Sequence, residues 1–271
     1  IATELQNLSF YFADKELYMS LHTEVMHHID MKMGDVGRYV FLPGDPGRCE
    51  KIASFFDNPQ LIAYKREYKT YTGTLLGEKV SVTSTGIGGP STAIAVEELR
   101  MLGADTFIRL GTSGGMQPFL QTSDLAILTG AIRDEGTTLH YMPPEFPAVA
   151  NIDVVNALRE AADRLGYTHY EGIGQSKDSF YGQHQPERMP VANRLLDRWK
   201  AWIAGGCLCS EMEASTLFVV SSILKARAGG VMMVYKHDDP DENRRKAADE
   251  LTSLIRTGIE AVKILIEKDR K

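Results

Sequence analysis

The stretch at residues 84–92 constrains the fold of this chain more than any other. It reads Ser-Thr-Gly-Ile-Gly-Gly-Pro-Ser-Thr, follows a β-branched run at 80–83 and precedes a helical pattern over residues 91–102. A buried strand is predicted next, at 106–110, and it leads into a second glycine-rich turn at 111–115. This order is typical of α/β proteins, and glycine-rich turns at strand ends expose backbone N–H groups that favour an anion.

Two arginines stand beside these turns. Arg109 lies in an otherwise apolar strand, and an unpaired buried cation is costly, so it requires either an internal carboxylate or an anionic ligand. Both alternatives are open from the residues alone. Arg48 follows a predicted strand at 39–42 in the run Pro-Gly-Asp-Pro-Gly-Arg. It falls in the first turn of a predicted helix, where a cation opposes the helix dipole unless it faces an anion.

Strands and helices alternate along the rest of the chain, which predicts an α/β fold: a single three-layer αβα domain with a mixed central β-sheet. Residues 1–27 read as an N-terminal arm and residues 28–271 as the domain, with a proline-rich ordered loop at 139–147. The further strands are predicted at 68–75, 79–85, 123–132, 172–175 and 230–235, and the further helices at 153–165, 191–203, 214–226 and 241–268.

Composition narrows the class of partner. The chain has 271 residues and a net charge of −6, which argues against nucleic acid as its main partner. No apolar run reaches the length of about 18 residues that a membrane span needs, and the first residues lack the pattern of a secretory signal. The three cysteines form no CxxC pair and are expected to be reduced thiols, which predicts a cytoplasmic protein.

The cationic turns point to a small dianion. Arg48, Arg66, Arg109 and Thr112 would enclose one phosphate-sized group, because arginine gives bidentate hydrogen bonds to phosphate. The sequence has no Walker A motif, and the glycines at 86–89 lack the spacing of a dinucleotide fingerprint. Free phosphate or a phosphorylated metabolite is therefore favoured over ATP or NAD.

Several motifs follow one another along the chain. They are Pro-Gly-Asp-Pro at 43–46, the stretch at 84–92, Arg-Leu-Gly-Thr-Ser-Gly at 109–114, Leu-His at 139–140 with Glu-Phe-Pro-Ala-Val-Ala at 145–150, and Ser-Glu-Met-Glu at 210–213. Together they resemble the nucleoside phosphorylase superfamily and, within it, the uridine phosphorylase branch. The resemblance covers about residues 28–265 and implies phosphorolysis of a pyrimidine nucleoside, uridine, to uracil and ribose 1-phosphate in nucleoside salvage. It implies inorganic phosphate as co-substrate, no cofactor, and a homo-oligomer built from dimers, with a hexamer expected.

For the phosphate, the resemblance implies ligands at Gly44, Arg48 and Arg109, with Thr112 between the phosphate and the ribose. Arg66 would reach the phosphate of a neighbouring subunit. Arg109 would be catalytic, because a phosphate fixed below the sugar stabilises the positive charge that develops at C1′.

For the nucleoside, the resemblance implies that the backbone of Met212 and the carboxylate of Glu213 hold the ribose hydroxyls, with Glu213 counted as catalytic. His28 of a neighbouring subunit would cap the 5′-hydroxyl, and Phe180 would stack on the base. A monovalent cation is optional in the family, at positions that match Glu67, Ile87 and Ser91.

The base end departs from the family's pattern. The usual Gly-Gln-Glu-Arg run is replaced by a longer one that contains Gln183, His184 and Arg188, and Lys177 replaces a small residue. We expect these four side chains to donate hydrogen bonds to the uracil oxygens, with Lys177 and His184 catalytic, because donors aimed at the leaving base lower the barrier. For each of the four alone, a solvated surface role is equally open.

Other interpretations stay open. After the last strand, His237 and Asp238 stand where an asparagine–arginine pair is expected, and purine phosphorylases carry an aspartate near that place. The alternatives are a purine nucleoside or methylthioadenosine phosphorylase or nucleosidase, a catalytically silent nucleoside-binding protein on the same fold, and a phosphosugar-binding protein.

Overall fold

The computed structural model describes residues 25–236 and 240–271, and for residues 240–250 the backbone alone. Strands and helices alternate along these residues. The strands are β1 (Tyr39–Leu42), β2 (Asp57–Lys65), β3 (Tyr68–Leu75), β4 (Glu78–Thr83), β5 (Thr106–Gly115), β6 (Leu125–Asp134), β7 (Ala148–Val149), β8 (His169–Lys177), β9 (Cys209–Glu211) and β10 (Arg227–Tyr235). The helices are α1 (Gly47–Ala53), α2 (Gly89–Met101), α3 (Ile152–Leu165), α4 (Phe180–His184), α5 (Ala192–Ala204), α6 (Ala214–Ile223) and α7 (Pro240–Asp269).

These ten strands form one mixed β-sheet. Strand β1 lies between β4 and β5 and runs parallel to both, and β3 and β2 extend the sheet antiparallel beyond β4. On the other side, β5, β10, β6, β8 and β9 pair in succession, and β9 pairs back with β5 to close a ring. The predicted α/β fold with a mixed central sheet and flanking helices is confirmed.

One connected cluster of buried apolar side chains fills the space between the sheet and the helices. It includes Phe41 and Ile108 of the sheet and Val219 of α6, all with no exposed surface. Helix α6 is buried from Ala214 to Ser221, whereas α3 is amphipathic and buries only one face. The segments that follow the strands are therefore attached to a close-packed core.

The structure differs from the sequence prediction at residues 111–115, where a turn is expected and β5 instead continues. Strand β10 pairs with β5 from Thr106 to Gly114, so these residues are held in an extended ladder. The glycines make room for neighbours: a Cβ at Gly111 would lie 2.4 Å from Met232 Sδ and 3.0 Å from Arg109 Nη2. Arg109 thus lies inside a long strand, with its guanidinium over a glycine.

Three strands are missing from the sequence prediction. The edge strand β2 has mostly exposed or half-buried residues and includes Pro59, so it lacks the alternation that marks a strand. Strands β7 and β9 have two and three residues, too few to form a pattern. Strand β8 begins earlier than expected and ends at Lys177, which places this lysine at a strand end.

The predicted division into an arm at 1–27 and a catalytic domain at 28–271 falls partly outside the described residues. Of the arm, the described part includes Val25, which bridges to Lys32, and Met26, which is buried in the core. The division stays a prediction. In the ranges that the structure describes, no helix is both long and apolar enough to cross a membrane.

Candidate active site

A cavity of about 800 Å³ opens where β1, β5, β8 and β10 end. Its walls come from the segment after β1, from Gly86 and Ile87 after β4, from the last residues of β5, and from β9 and α4. The carboxyl ends of strands in α/β sheets are the usual position of ligand sites. Ten of the residues predicted from the sequence line this cavity: Gly44, Arg48, Ile87, Arg109, Thr112, Lys177, Phe180, His184, Met212 and Glu213.

Arg109 is buried and is held by two carboxylates. Its Nε donates to Glu211 Oε2 at 2.9 Å, and its Nη2 donates to Glu213 Oε2. Burial lowers the pKa of Arg109, but the two carboxylates outweigh burial and raise it overall. Among the described residues its Nη1 has no hydrogen-bond partner, although it is buried. Both alternatives from the sequence therefore apply: Arg109 has internal carboxylate partners and keeps one donor that a ligand could satisfy.

Arg48 has a different environment. Its Nη2 donates to Thr112 Oγ1 at 3.3 Å, and no carboxylate among the described residues lies within ion-pair distance. Burial lowers the pKa of Arg48, and the charge of Arg109 lowers it further, whereas Asp45 opposes the shift. Two cations that repel each other across one cavity wall favour an anion between them. We call Arg48, Arg109 and Thr112 the anion end of the cavity.

One of the glycines at 86–89 holds a carboxylate beside this end. Gly88 has a φ of +97°, a conformation that favours glycine, and its N–H donates to Glu213 Oε1 at 2.6 Å. Glu213 is thus fixed between Gly88 and Arg109, at the residue before α6 begins. Burial raises the pKa of the Glu213 carboxyl, and Arg109 opposes that shift.

Lys177, Phe180 and His184 line another part of the cavity. We call them the base end, after the role that the sequence predicts for them. The rings of Phe180 and His184 lie 4.1 Å apart between centroids, and Lys177 Nζ lies 6.0 Å from the Phe180 centroid. Lys177 Nζ donates to Ser210 Oγ at 2.8 Å, and the side chain is only 5% exposed. Burial lowers the pKa of Lys177 below its ordinary value, although Glu211 and Glu213 oppose the shift.

A second cavity of about 180 Å³ adjoins the base end, and Lys177 lines both. Gln183 lines this smaller cavity and not the larger one, and its amide lies 2.5 Å from Ser210 Oγ. Trp199 and Trp202 of α5 form the apolar wall, with Asp134 and Gln175 among the polar residues. Gln183 thus lies behind Lys177 and Ser210 as seen from the larger cavity.

Three of the residues predicted to bind phosphate, ribose or base lie away from both cavities. Arg188 is exposed in a 3₁₀ turn and donates to Gln185 Oε1. Arg66 is exposed at the tip of the β2–β3 hairpin, with a φ of +56°. His28 Nδ1 pairs with Glu98 Oε1 at 2.5 Å, and the backbone N–H groups of His28 and Ile29 donate to the same carboxylate. Within one chain, none of the three contributes to the cavity.

The three residues predicted for a monovalent cation lie close together beside the larger cavity. Ser91 Oγ lies 3.4 Å from the carbonyl oxygen of Ile87, and a Cβ at Gly86 would meet the Glu67 side chain. A cation at Glu67, Ile87 and Ser91 stays a prediction. His237 and Asp238, which bear on the choice between pyrimidine and purine, lie outside the described residues.

Sequence reasoning missed the roles of Glu211 and Ser210. Glu211 accepts hydrogen bonds from Arg109 and from the N–H groups of Glu213 and Ala214, so it orients the arginine and caps the start of α6. Ser210 contacts Lys177 and two glutamines. Both residues lie within the Ser-Glu-Met-Glu motif, and that motif is the signal that could have found them, because β9 is too short to form a pattern.

Comparison with known proteins defines the class. The model of the phosphorylase superfamily matches residues 38–262, so the chain belongs to the phosphorylase superfamily. It is 50% identical to a uridine phosphorylase of Treponema pallidum over 91% of this chain and 96% of that protein. It is 46% identical to a uridine phosphorylase of Thermococcus kodakarensis, over 91% and 89%. A guanosine phosphorylase of Halorubrum lacusprofundi is 35% identical, over 88% and 98%.

Proposed function

We propose that this chain catalyses phosphorolysis of uridine, which yields uracil and ribose 1-phosphate. The single observation that carries the proposal is that Nη1 of buried Arg109, beside Arg48, has no partner among the described residues, in a cavity that Phe180 and Lys177 also line. An anion at the anion end and a flat heterocycle at the base end leave Glu213 between them. Uridine phosphorylases at 50% and 46% identity over nearly the whole chain support the same reaction.

At the anion end, Arg48, Arg109 and Thr112 hold inorganic phosphate below the sugar, with Gly44 allowing close backbone approach. The bond between C1′ and the base nitrogen breaks with positive charge developing at C1′, and a phosphate oxygen forms the new bond to C1′. The fixed anion stabilises that charge and then captures it, without a loss of orientation entropy at the reaction step. Phosphate is a co-substrate, and we propose no further cofactor.

At the ribose, Glu213 accepts hydrogen bonds from hydroxyl groups and the Met212 backbone adds a contact. The Glu213 carboxylate is already fixed by Gly88 and Arg109, so it reaches the sugar in a preset orientation. At the base, the electron pair of the broken bond moves onto the uracil ring and its oxygens. Lys177 and His184 face that position, and their N–H groups stabilise the negative charge while Phe180 stacks on the ring.

We further propose that the active unit is at least a dimer, with a hexamer built from dimers as the full assembly. Arg66 and His28 lie outside the cavity of their own chain, yet they share one surface. Lys65, beside Arg66, donates to the carbonyl of His27 at 2.8 Å and pairs with Asp30 at 3.2 Å. One interface on this surface could therefore deliver both side chains to a neighbour's site.

A cytoplasmic location is part of the proposal, and the cysteines support it. Cys49, Cys207 and Cys209 are free and buried. Burial raises the pKa of the Cys49 thiol to about 11 and those of Cys207 and Cys209 to about 12. Such thiols stay protonated and unreactive, as expected for structural cysteines of a reducing compartment.

The test of the reaction is base release followed by ultraviolet absorbance, with and without inorganic phosphate. The panel contains uridine, thymidine, cytidine, inosine and guanosine, the last two because a relative is a guanosine phosphorylase. We expect uridine cleavage that requires phosphate and produces ribose 1-phosphate. Release without phosphate would mean hydrolysis, and no release from any nucleoside would favour a binding protein.

The shared site has its own test. Arg66→Ala and Arg109→Ala are each expected to be nearly inactive. If Arg66 serves the neighbour, a mixed dimer of the two variants contains one intact site, so unfolding and refolding the mixture restores up to about a quarter of wild-type activity by random pairing. No restoration, with dimers present by light scattering, would overturn the shared site.

A further inference from the structure

Ser176 lies near the end of β8, next to Lys177, but it lines neither of the two cavities and has no exposed surface. In the parallel register of β8 with β9 it pairs with Glu211, and its hydroxyl donates to Glu211 Oε1. Its Oγ also accepts from the backbone N–H of Ser215 at 2.9 Å. Because water does not reach this hydroxyl, these two hydrogen bonds compensate for its burial.

The direction of both hydrogen bonds is fixed by the partners. A backbone N–H can only donate, so Ser215 occupies a lone pair of the Ser176 oxygen. Ser215 lies in the first turn of α6, where the helix itself provides no acceptor for N–H groups. The single hydroxyl proton of Ser176 then goes to Glu211, since a carboxylate accepts. The start of α6 therefore holds Ser176 as a donor toward Glu211.

The Glu211 carboxylate depends on this donor for a single orientation. Its Oε2 accepts from Arg109 Nε at 2.9 Å and from Glu213 N–H at 2.8 Å, and the N–H of Ala214 lies 3.0 Å from each oxygen. Among the described residues, Ser176 supplies the only side-chain donor to Oε1. The last torsion of a glutamate side chain has a broad minimum. Without Ser176 the carboxylate can therefore turn, and the oxygen that faces Arg109 moves with it.

We infer that Ser176 is a positioning residue for phosphate binding: it fixes Glu211, and Glu211 in turn directs Nη1 of Arg109 at the anion. That nitrogen is buried and has no hydrogen-bond partner among the described residues, so its direction decides whether it meets a phosphate oxygen. Glu213 also pairs with Arg109, but the proposed function assigns Glu213 to the ribose hydroxyls. Glu211 is then the carboxylate that holds Arg109 whether or not a sugar is bound. The inference rests on the proposed function and deepens it.

Ser176→Ala tests this assignment, because it removes the donor and leaves Glu211 and Arg109 in the chain. We expect the affinity for inorganic phosphate, measured by calorimetry, to fall about tenfold and the phosphate KM to rise by a similar factor, the effect of one hydrogen bond to a charged group. The nucleoside KM should not change, because Gly88 still holds Glu213. A general loosening of the core would raise both constants. Ser176→Cys keeps the volume with a weaker donor and should give an intermediate phosphate affinity.

Ser215→Ala is the matched control. Ser215 also has no exposed surface, and its hydroxyl donates to another buried glutamate, Glu135, at 3.0 Å. Glu135 lines neither of the two cavities. The substitution thus removes the same kind of hydrogen bond and keeps the backbone N–H that Ser176 accepts. Thermal stability should fall while phosphate affinity stays that of the wild type. An equal loss of phosphate affinity in Ser176→Ala and Ser215→Ala would overturn the inference.

Pairs of substitutions show which arginine Ser176 acts through. Arg109→Lys removes the Nε that Glu211 holds, so a further Ser176→Ala should weaken phosphate binding little more. Arg48→Lys changes the other arginine of the anion end, and its effect should add to that of Ser176→Ala, as for independent sites. Full additivity of Ser176→Ala with Arg109→Lys would mean that the serine acts through another group, and it would overturn the inference.

Phosphate calorimetry and uridine cleavage together separate this inference from the reaction. If the wild type cleaves uridine but Ser176→Ala binds phosphate as the wild type does, the inference fails and the proposed function stands. If the wild type cleaves no nucleoside, the proposed function fails, and weaker phosphate binding by Ser176→Ala alone would still support the inference. No binding of inorganic phosphate by the wild type, with or without uracil, would overturn both.

Discussion

At the anion end of the cavity two of the three side chains, Arg109 and Thr112, lie on a long, paired strand. At the base end two of the three side chains lie on a helix of five residues. Arg109 is inside β5, paired on both sides, and two carboxylates hold its guanidinium. Phe180 is 51% exposed on α4, although Lys177 at the end of β8 is buried. Arg109 is thus fixed by the sheet, whereas two of the three base-end side chains depend on a short helix that is partly exposed.

Arg109→Ala should have the largest effect on both stability and activity. A small effect would contradict the difference between the anion end and the base end. Its removal leaves Glu211 and Glu213 buried without a cation, which costs about 3–5 kcal/mol of unfolding free energy. The loss of a charge-stabilising donor should lower kcat by about 100- to 1,000-fold. Denaturant unfolding and phosphorolysis assays measure the two effects. Arg164→Ala, which removes an exposed arginine, serves as control, and equal destabilisation by both variants would contradict the prediction.

Arg48→Ala should separate binding from stability. Because no described carboxylate pairs with Arg48, its loss leaves no orphaned anion, and the free energy of unfolding should change little. The phosphate KM should rise about 10- to 100-fold, as for a lost hydrogen bond to a charged group. Arg48→Lys keeps the charge but loses the fork geometry, so an intermediate KM is expected. An unchanged phosphate KM in Arg48→Ala would place the anion elsewhere.

Phe180→Ala tests the base end in the same terms. Loss of stacking should raise the nucleoside KM by up to about tenfold, the scale of an aromatic contact, with the phosphate KM unchanged. Stability should hold, because half of the ring is exposed. Phe180→Tyr keeps the ring and should behave like wild type. If Phe180→Ala lowered thermal stability more than Arg48→Ala does, the base end would be part of the close-packed core.

Lys177→Arg tests the base end through the pH dependence of activity. Near neutrality it should have the smallest effect on activity of the four substitutions. Burial lowers the pKa of Lys177, so the lysine loses its proton, and with it a donor to the base, at a lower pH than an ordinary lysine. The wild-type kcat/KM for uridine should therefore fall on the alkaline side relative to Lys177→Arg, whose guanidinium stays charged. Titration of substrate and phosphate cancels in the ratio of the two enzymes. A ratio that is constant from about pH 6 to about pH 10 would exclude an essential Lys177 charge.

The two arginines of the anion end were predictable from the sequence, because each comes after or within a hydrophobic strand and carries a charge that the strand does not need. Arg48 and Arg109 both stand out in this way. The carboxylate that orients Arg109, Glu211, did not, since an acidic residue before a helix is explained by the helix dipole alone. Only tertiary pairing of β9 with β5 and β8 brings it to the arginine.

The base end was less predictable for a physical reason. Its order depends on side chains that meet across β8, β9 and α4, and a strand of three residues gives no periodic signal. The sequence indicated Lys177 and Gln183 as donors to the base, but the contact of each with Ser210 is seen only in the structure. Whether Arg188 reaches the base stays a prediction, since within one chain it contacts Gln185 on the surface.

The ring of strands β5, β10, β6, β8 and β9 has a consequence for how this scaffold tolerates change. A set of strands that pairs back to its first member has no unpaired edge. Backbone pairing therefore sets the spacing between the carboxyl ends of β5, β8 and β10. Segments attached to those tips can be lengthened or exchanged while the tips themselves hold their places. A change in the segment attached to β8 can therefore alter which heterocycle is preferred, while the residues that bind the oxyanion stay in place.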